Sequence, residues 1–280
     1  MKITYLFFFF FIISFSSLLY SQGLTREQVD DTIQNMPAFS SHQDNYFITG
    51  VPLQESIESN TADAKYQISF KVLLTRNTLP LDSYLFLTYT QKAFWNIYQF
   101  SSPFEEINFN PTLGLGKPLF NKKDEVNGLA VLMYEHESNG RDSIYSRSWN
   151  NISLTYHTLI NDRTSISVKA WLPFLYKTDN PDLLDYIGLG EVRLEYGIKP
   201  DKLLINITAR KGLEWNWKGA IRTQLLYRPF KMPNQYLVLE WFNGYTESLI
   251  DYQEYKSMIR FGFILKSNEF DILKKRRRNN

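Results

Sequence analysis

Residues 66–75 read YQISFKVLLT, and the order of these side chains decides the fold. Ile68, Phe70, Val72 and Leu74 share one face of an extended chain, and Gln67, Ser69, Lys71 and Thr75 share the other, interrupted by Leu73. A period of two marks a strand with one apolar and one polar side. The same alternation returns at 84–97, 105–117, 125–138, 148–159, 164–175, 186–198, 202–211, 217–228, 236–248 and 257–266, with a short segment at 46–49. Turn sequences such as Asn161-Asp162, Lys199-Pro200-Asp201 and Lys231-Met232-Pro233-Asn234 separate them. An even number of strands of roughly ten residues suits a tilted barrel that crosses a membrane. No stretch carries the long 3.6-residue period of a crossover helix, which argues against a parallel α/β sheet. The expected fold is all-β, a transmembrane antiparallel β-barrel of about 12 strands. A soluble β-sandwich gives the same alternation and differs in which face meets water. The load of 18 Tyr, 21 Phe and 6 Trp favours the barrel.

The chain divides accordingly. Residues 1–21 have a basic start at Lys2, an apolar run with five successive Phe and a small residue at Ser21, the pattern of a secretory signal peptide. Residues 22–43 are polar without a strand signal and read as an N-terminal arm, periplasmic or loosely docked. Residues 44–270 form the barrel, and 271–280 a basic C-terminal tail containing Lys274 to Arg278. The tail reads as solvated, and a net charge of +2 gives no footprint for nucleic acid. The absence of cysteine removes disulfides and thiolate metal sites. Three His, at 42, 136 and 157, lack zinc-hydrolase spacing. The glycines of LGLGKP (113–118) and GLGEV (188–192) precede no helix and read as strand glycines beside bulky neighbours. Short turns near 162, 200 and 232 belong to the periplasmic end, and the loops at 139–147 and 177–185 to the extracellular end.

Residues 136–150, HESNGRDSIYSRSWN, carry the chemistry. His136 and Ser138 continue the apolar parity of Leu132 and Tyr134, and Asn150 continues that of Ile152 and Leu154. A hairpin through 139–149 sets these polar groups side by side on the outward face, where they are costly unless they satisfy each other. They suit acyl transfer, with Ser138 as nucleophile, His136 as general base and Asn150 orienting the ring. A neutral Asn leaves a task for another aid to the oxyanion, such as a cation. Gln91 is a single amide within the apolar face Leu85, Leu87, Tyr89, Ala93 and Trp95. It either snorkels to water or pairs with its copy across a dyad.

The segment YEHESNGRDSIYSRSWNN (134–151) resembles the active-site segment of the bacterial outer-membrane phospholipase A family. YTQKAFW (89–95), SSPFEEINFNP (101–111), DNPDLLDYIG (179–188) and GYTESLIDYQ (244–253) extend the resemblance over most of the chain. It implies a twelve-stranded barrel in the outer membrane, with its active site near the extracellular rim. It also implies a calcium-dependent homodimer that hydrolyses phospholipid acyl esters. His136, Ser138 and Asn150 take the roles above, with the backbone N–H of Gly140 at the oxyanion. Calcium (Ca2+) would be held by the Arg141 carbonyl and Ser146 hydroxyl of one subunit and the Ser101 hydroxyl of the other, and Gln91 would lie at the dimer interface. The middle of the calcium loop, Asp142, Ser143, Ile144 and Tyr145, departs from the family's pattern, and the chain runs on past Phe270. The alternatives are a non-enzymatic barrel, a small pore or adhesin, and deacylation of lipopolysaccharide.

Overall fold

The computed structural model describes residues 24–268 and 270–273. The segment 1–21, expected to be a signal peptide, and the basic cluster 274–278 lie outside the described residues. Twelve long antiparallel strands make up the wall: β2 (Asn45–Pro52), β3 (Asp63–Leu73), β4 (Tyr84–Trp95), β5 (Phe104–Phe120), β6 (Val126–Ser138), β7 (Ser148–Asn161), β8 (Thr164–Phe174), β9 (Gly190–Lys199), β10 (Leu203–Lys211), β11 (Gly219–Tyr227), β12 (Gln235–Gly244) and β13 (Lys256–Leu265). A three-residue strand, β1 (Phe39–Ser41), adds to β3. Each long strand pairs with its sequence neighbours, β13 returns to β2, and β3 pairs with both β2 and β4. The sheet is closed, so no long strand presents an unpaired edge.

The opening stretch settles barrel against sandwich. In β3 the polar residues Lys65, Ser69 and Lys71 are buried, whereas Ile68 is 52 % exposed. Leu87, Leu113, Leu132, Ile152, Leu154 and Leu172 are likewise exposed on the outside. Apolar out and polar in is the pattern a lipid-facing wall demands, and it inverts the pattern of a soluble core.

The lumen is filled in layers. Inside the barrel, Lys65 bonds Glu240 and Glu247, and Arg260 bonds Asp63 and Glu247, each with a buried partner. Gln224 donates to Glu240 at 2.8 Å. Pairing of this kind removes the penalty of isolated buried charge. Near the chain termini the layer is apolar, with Tyr84, Phe86, Leu129, Val131 and Met133 pointing inward. Gly114 and Gly116 make room there, since a Cβ on either would lie 2.3 Å from the Phe86 or Tyr84 ring. Trp149, Trp171, Leu183, Ile187, Leu249 and Tyr252 close the other end. A cavity of about 220 Å³ remains between the layers, lined in part by Lys92, Glu135, Glu137, Lys169 and Glu191.

Three readings of the sequence are corrected. The arm at 22–43 contains α1 (Arg26–Gln34), capped by Thr25, as well as β1. Val29 and Ile33 of α1, one turn apart, are fully buried in the apolar layer at the terminal end of the lumen, so the arm is firmly and not loosely docked. The tail boundary at 271 falls inside a further plug, because Ile272 and Leu273 of the 3-10 turn Asp271–Leu273 are buried in the same layer. The strand expected at 186–198 begins at Gly190, after the helical turn α2 (Leu184–Ile187), and the one expected at 236–248 stops at Gly244. Alternation runs past both strands because Ile187 and Leu249 pack into the outer lumen, where burial and not pleating sets the pattern.

Candidate active site

β6 and β7 are joined by the loop 139–147, at the end of the barrel opposite the turns 121–125 and 162–163. Their register sets His136 opposite Asn150, Tyr134 opposite Ile152 and Leu132 opposite Leu154. The outward face therefore carries a polar pair at the rim with an apolar row beneath it. Leu113 of β5 and Leu172 of β8 extend that row to either side.

His136 Nδ1 and Asn150 Oδ1 lie 2.9 Å apart. An amide oxygen can only accept, so the proton of the neutral imidazole sits on Nδ1 and the basic lone pair on Nε2. Ser138 ends the strand two residues further along the same face, paired with Ser148 and Phe109. Among the described residues no hydrogen bond joins Ser138 to His136. Nucleophile–base contacts are commonly long before substrate arrives, and a hydroxyl turns freely about its bond.

Asn139, which the sequence reading passed over, organises the loop. It is buried, its Nδ2 donates to the Tyr145 carbonyl at 2.9 Å, and its Oδ1 accepts from the Arg147 N–H at 3.0 Å and the Arg141 N–H at 3.3 Å. An Asn that bonds backbone two residues on is a turn former, and its place before a glycine was the available signal. Gly140 has φ +66°, a conformation glycine adopts without strain, and a Cβ there would stand 3.0 Å from the Phe109 ring. The Arg141 guanidinium reaches the Glu105 carbonyl and the buried Glu106 carboxylate, which pins the loop to β5.

Ser146 donates to Asp179 Oδ2 at 3.1 Å, and Ser148 to the same oxygen at 2.8 Å. Asn180 Nδ2 donates to the Ser148 carbonyl at 2.6 Å and carries the β8–β9 loop against the site. Among the described residues Asp179 has no ion pair. A carboxylate whose partners are hydroxyls is a hard oxygen donor of the kind Ca2+ takes. These donors fit the ion without completing its shell. Ser101, exposed and with φ +63°, lies in the β4–β5 loop, and among the described residues no hydrogen bond joins it to Ser146.

Gln91 lies on the outer wall of β4, where Tyr89 Oη donates to its Oε1 at 3.0 Å and its Nε2 donates to Tyr66 Oη at 3.4 Å. The amide thus finds partners within its own chain, and a second copy is not required to satisfy it.

Residues 27–265 match the sequence model of the family described as phospholipase A1. The phospholipase A1 of Escherichia coli K12 is 33 % identical over 214 residues, covering 72 % of this chain and 69 % of that protein. The Salmonella typhi outer membrane phospholipase, solved as a dimer with bound calcium, superposes with a TM-score of 0.73 at 26 % identity, covering 85 % of this chain and 97 % of that one. The Escherichia coli outer membrane phospholipase A, solved with an asparagine-to-alanine change in its active site, gives 0.74 at 26 % identity over 86 % and 98 % of the two chains. With the barrel, the outward His–Asn pair and a match over most of its length, this chain belongs to the phospholipase A1 family.

Proposed function

We propose that this chain hydrolyses acyl esters of glycerophospholipids in the outer membrane, as a calcium-dependent homodimer, through Ser138, His136 and Asn150 on the outer wall. The observation that carries the reading is the His136–Asn150 hydrogen bond, made on a lipid-facing surface above exposed leucine and isoleucine. A soluble esterase folds a pocket around its ester. This wall is already immersed in its substrate, and the row Leu113, Tyr134, Ile152 and Leu172 suits an acyl chain lying along it.

In the proposed reaction Asn150 Oδ1 holds the Nδ1 proton, and His136 Nε2 takes the proton of Ser138 Oγ as that oxygen attacks the acyl carbonyl. The imidazolium then protonates the glycerol oxygen that leaves. A water, deprotonated by the same Nε2, attacks the acyl-serine, Ser138 Oγ leaves and takes that proton back from His136, and fatty acid is released. The backbone N–H of Gly140 is the proposed donor to the oxyanion. Calcium, when bound, would add positive charge beside that oxygen, held by Ser146, the Arg141 carbonyl, Asp179 and Ser101 of a second copy. Because one chain supplies only part of that set, dimerisation through the β4 wall around Gln91 would assemble the site. The calcium and the dimer in the Salmonella typhi structure support this part. The solved active-site asparagine substitution of the Escherichia coli protein supports the role given to Asn150.

The nucleophile is tested by a serine-reactive sulfonyl fluoride with an alkyl chain, followed by mass spectrometry of the intact protein and its peptides. A single adduct on Ser138, formed far more slowly in His136→Ala, is expected. Labelling elsewhere, or at a rate indifferent to His136, contradicts the assignment.

A further inference from the structure

β5 is an interior strand of a closed sheet, where a proline deletes a ladder hydrogen bond. It nevertheless carries Pro111 in mid-span. Its register with β6 passes through Phe109 opposite Ser138 and resumes at Thr112 opposite Glu135 in the same alignment, with no pairing at Asn110 or Pro111. Carried across the gap, that alignment sets Pro111 opposite His136. Facing residues of an antiparallel pair exchange hydrogen bonds at every second position. Loss of pairing at 110 and 111, but not at 112, is what one missing N–H at a bonding position produces. On its other side Pro111 stays in register with Tyr89.

The His136 carbonyl therefore lacks its backbone donor from β5, and a side chain takes that place. Asn110 Nδ2 donates to His136 O at 2.8 Å. Thr112 Oγ1 donates to Asn110 Oδ1 at 3.5 Å, which sets the sense in which the amide is turned. Asn110 borders the interior cavity, while the His136 ring faces the outer wall. The amide grips from inside the barrel the residue whose ring works outside it.

We propose that Asn110 is a positioning residue for His136. Its amide replaces the ladder N–H that Pro111 cannot supply, fixes the peptide after His136, and so holds the imidazole in line between Asn150 and Ser138. The proposal rests on the reading of His136 as the base. It also carries its own rescue, because Pro111→Ala returns a backbone N–H to the position where Asn110→Ala removes the side-chain donor.

Wild type, Asn110→Ala and Asn110→Ala/Pro111→Ala are compared for kcat and KM on micellar phospholipid, with folding checked by the heat-dependent gel mobility of the barrel. The 15N and 1H signals of the His136 ring are recorded in parallel, identified against His136→Asn. We expect Asn110→Ala to be folded, to lose about tenfold in kcat at nearly constant KM, and to lose the sharp hydrogen-bonded Nδ1–H signal, since small misplacements of a catalytic group cost this much. The double variant should regain both. A kcat within twofold of wild type in Asn110→Ala, an unaltered ring signal, or no recovery in the double variant overturns the proposal. If wild type does not hydrolyse phospholipid, the functional reading fails, and the ring signals alone still decide whether Asn110 positions His136.

Discussion

At the residue scale, the His136–Asn150 pair follows from period two and a hairpin, which is why the sequence exposes it. Parity assigns both residues to the outer face, and the hairpin makes them neighbours. Asp179 was not readable in the same way, because it comes from another hairpin and meets Ser146 and Ser148 only after the β8–β9 loop folds back. Asn110 was hidden for a similar reason, since its meaning depends on which β6 carbonyl faces Pro111. A neutral Asn150 fixes the tautomer of His136 without stabilising the imidazolium by charge. Asn150→Asp should therefore retain activity within about tenfold and move the acid limb of the kcat/KM profile to higher pH, because a carboxylate raises the basicity of the ring. An unmoved limb contradicts the assignment of the base.

At the element scale, the strands were legible and the plugs were not. Alternation in β3 to β8 is enforced by lipid on one side and a polar lumen on the other, and sequence records it directly. α1 carries a capping box, with Gln28 N–H donating to Thr25 Oγ1 at 3.4 Å and the Thr25 N–H donating to Gln28 Oε1 at 3.1 Å. The signature Thr-x-x-Gln was present at 25–28, but the polar composition of the arm concealed a helix that buries only Val29 and Ile33. Thr25→Ala should destabilise α1 by about 1 kcal/mol and increase proteolytic clipping within 24–36, with the barrel intact. Clipping at the wild-type rate contradicts the docked helix.

At the scale of the whole molecule, charge packed inside the barrel replaces a conventional core. Burial pushes the Glu247 carboxyl up, but Arg260 and Lys65 outweigh burial and hold it well below the usual carboxylate range. A group whose folded pKa is depressed contributes stability above its unfolded value, near 4.5, and loses it as pH falls toward the folded value. The thermal midpoint in detergent should decline below about pH 4.5, and Glu247→Gln should flatten that decline while destabilising the protein near neutrality by about 3 kcal/mol, the scale for breaking a buried pair. An equal slope in the variant contradicts the role of the network. The same layers set α1 and Ile272–Leu273 across the lumen at one end and the Trp149–Trp171 cluster across it at the other. Planar bilayers with the refolded protein should show no stable single-channel steps, and regular conductance would favour the pore.

The most direct measurement is fatty-acid release from mixed micelles of phospholipid and detergent by the folded protein, with calcium and with a chelator, beside Ser138→Ala. Release should need both calcium and Ser138, with a loss of about a thousandfold or more in the variant. Release that survives the chelator, or that persists in folded Ser138→Ala, would contradict the proposed reaction.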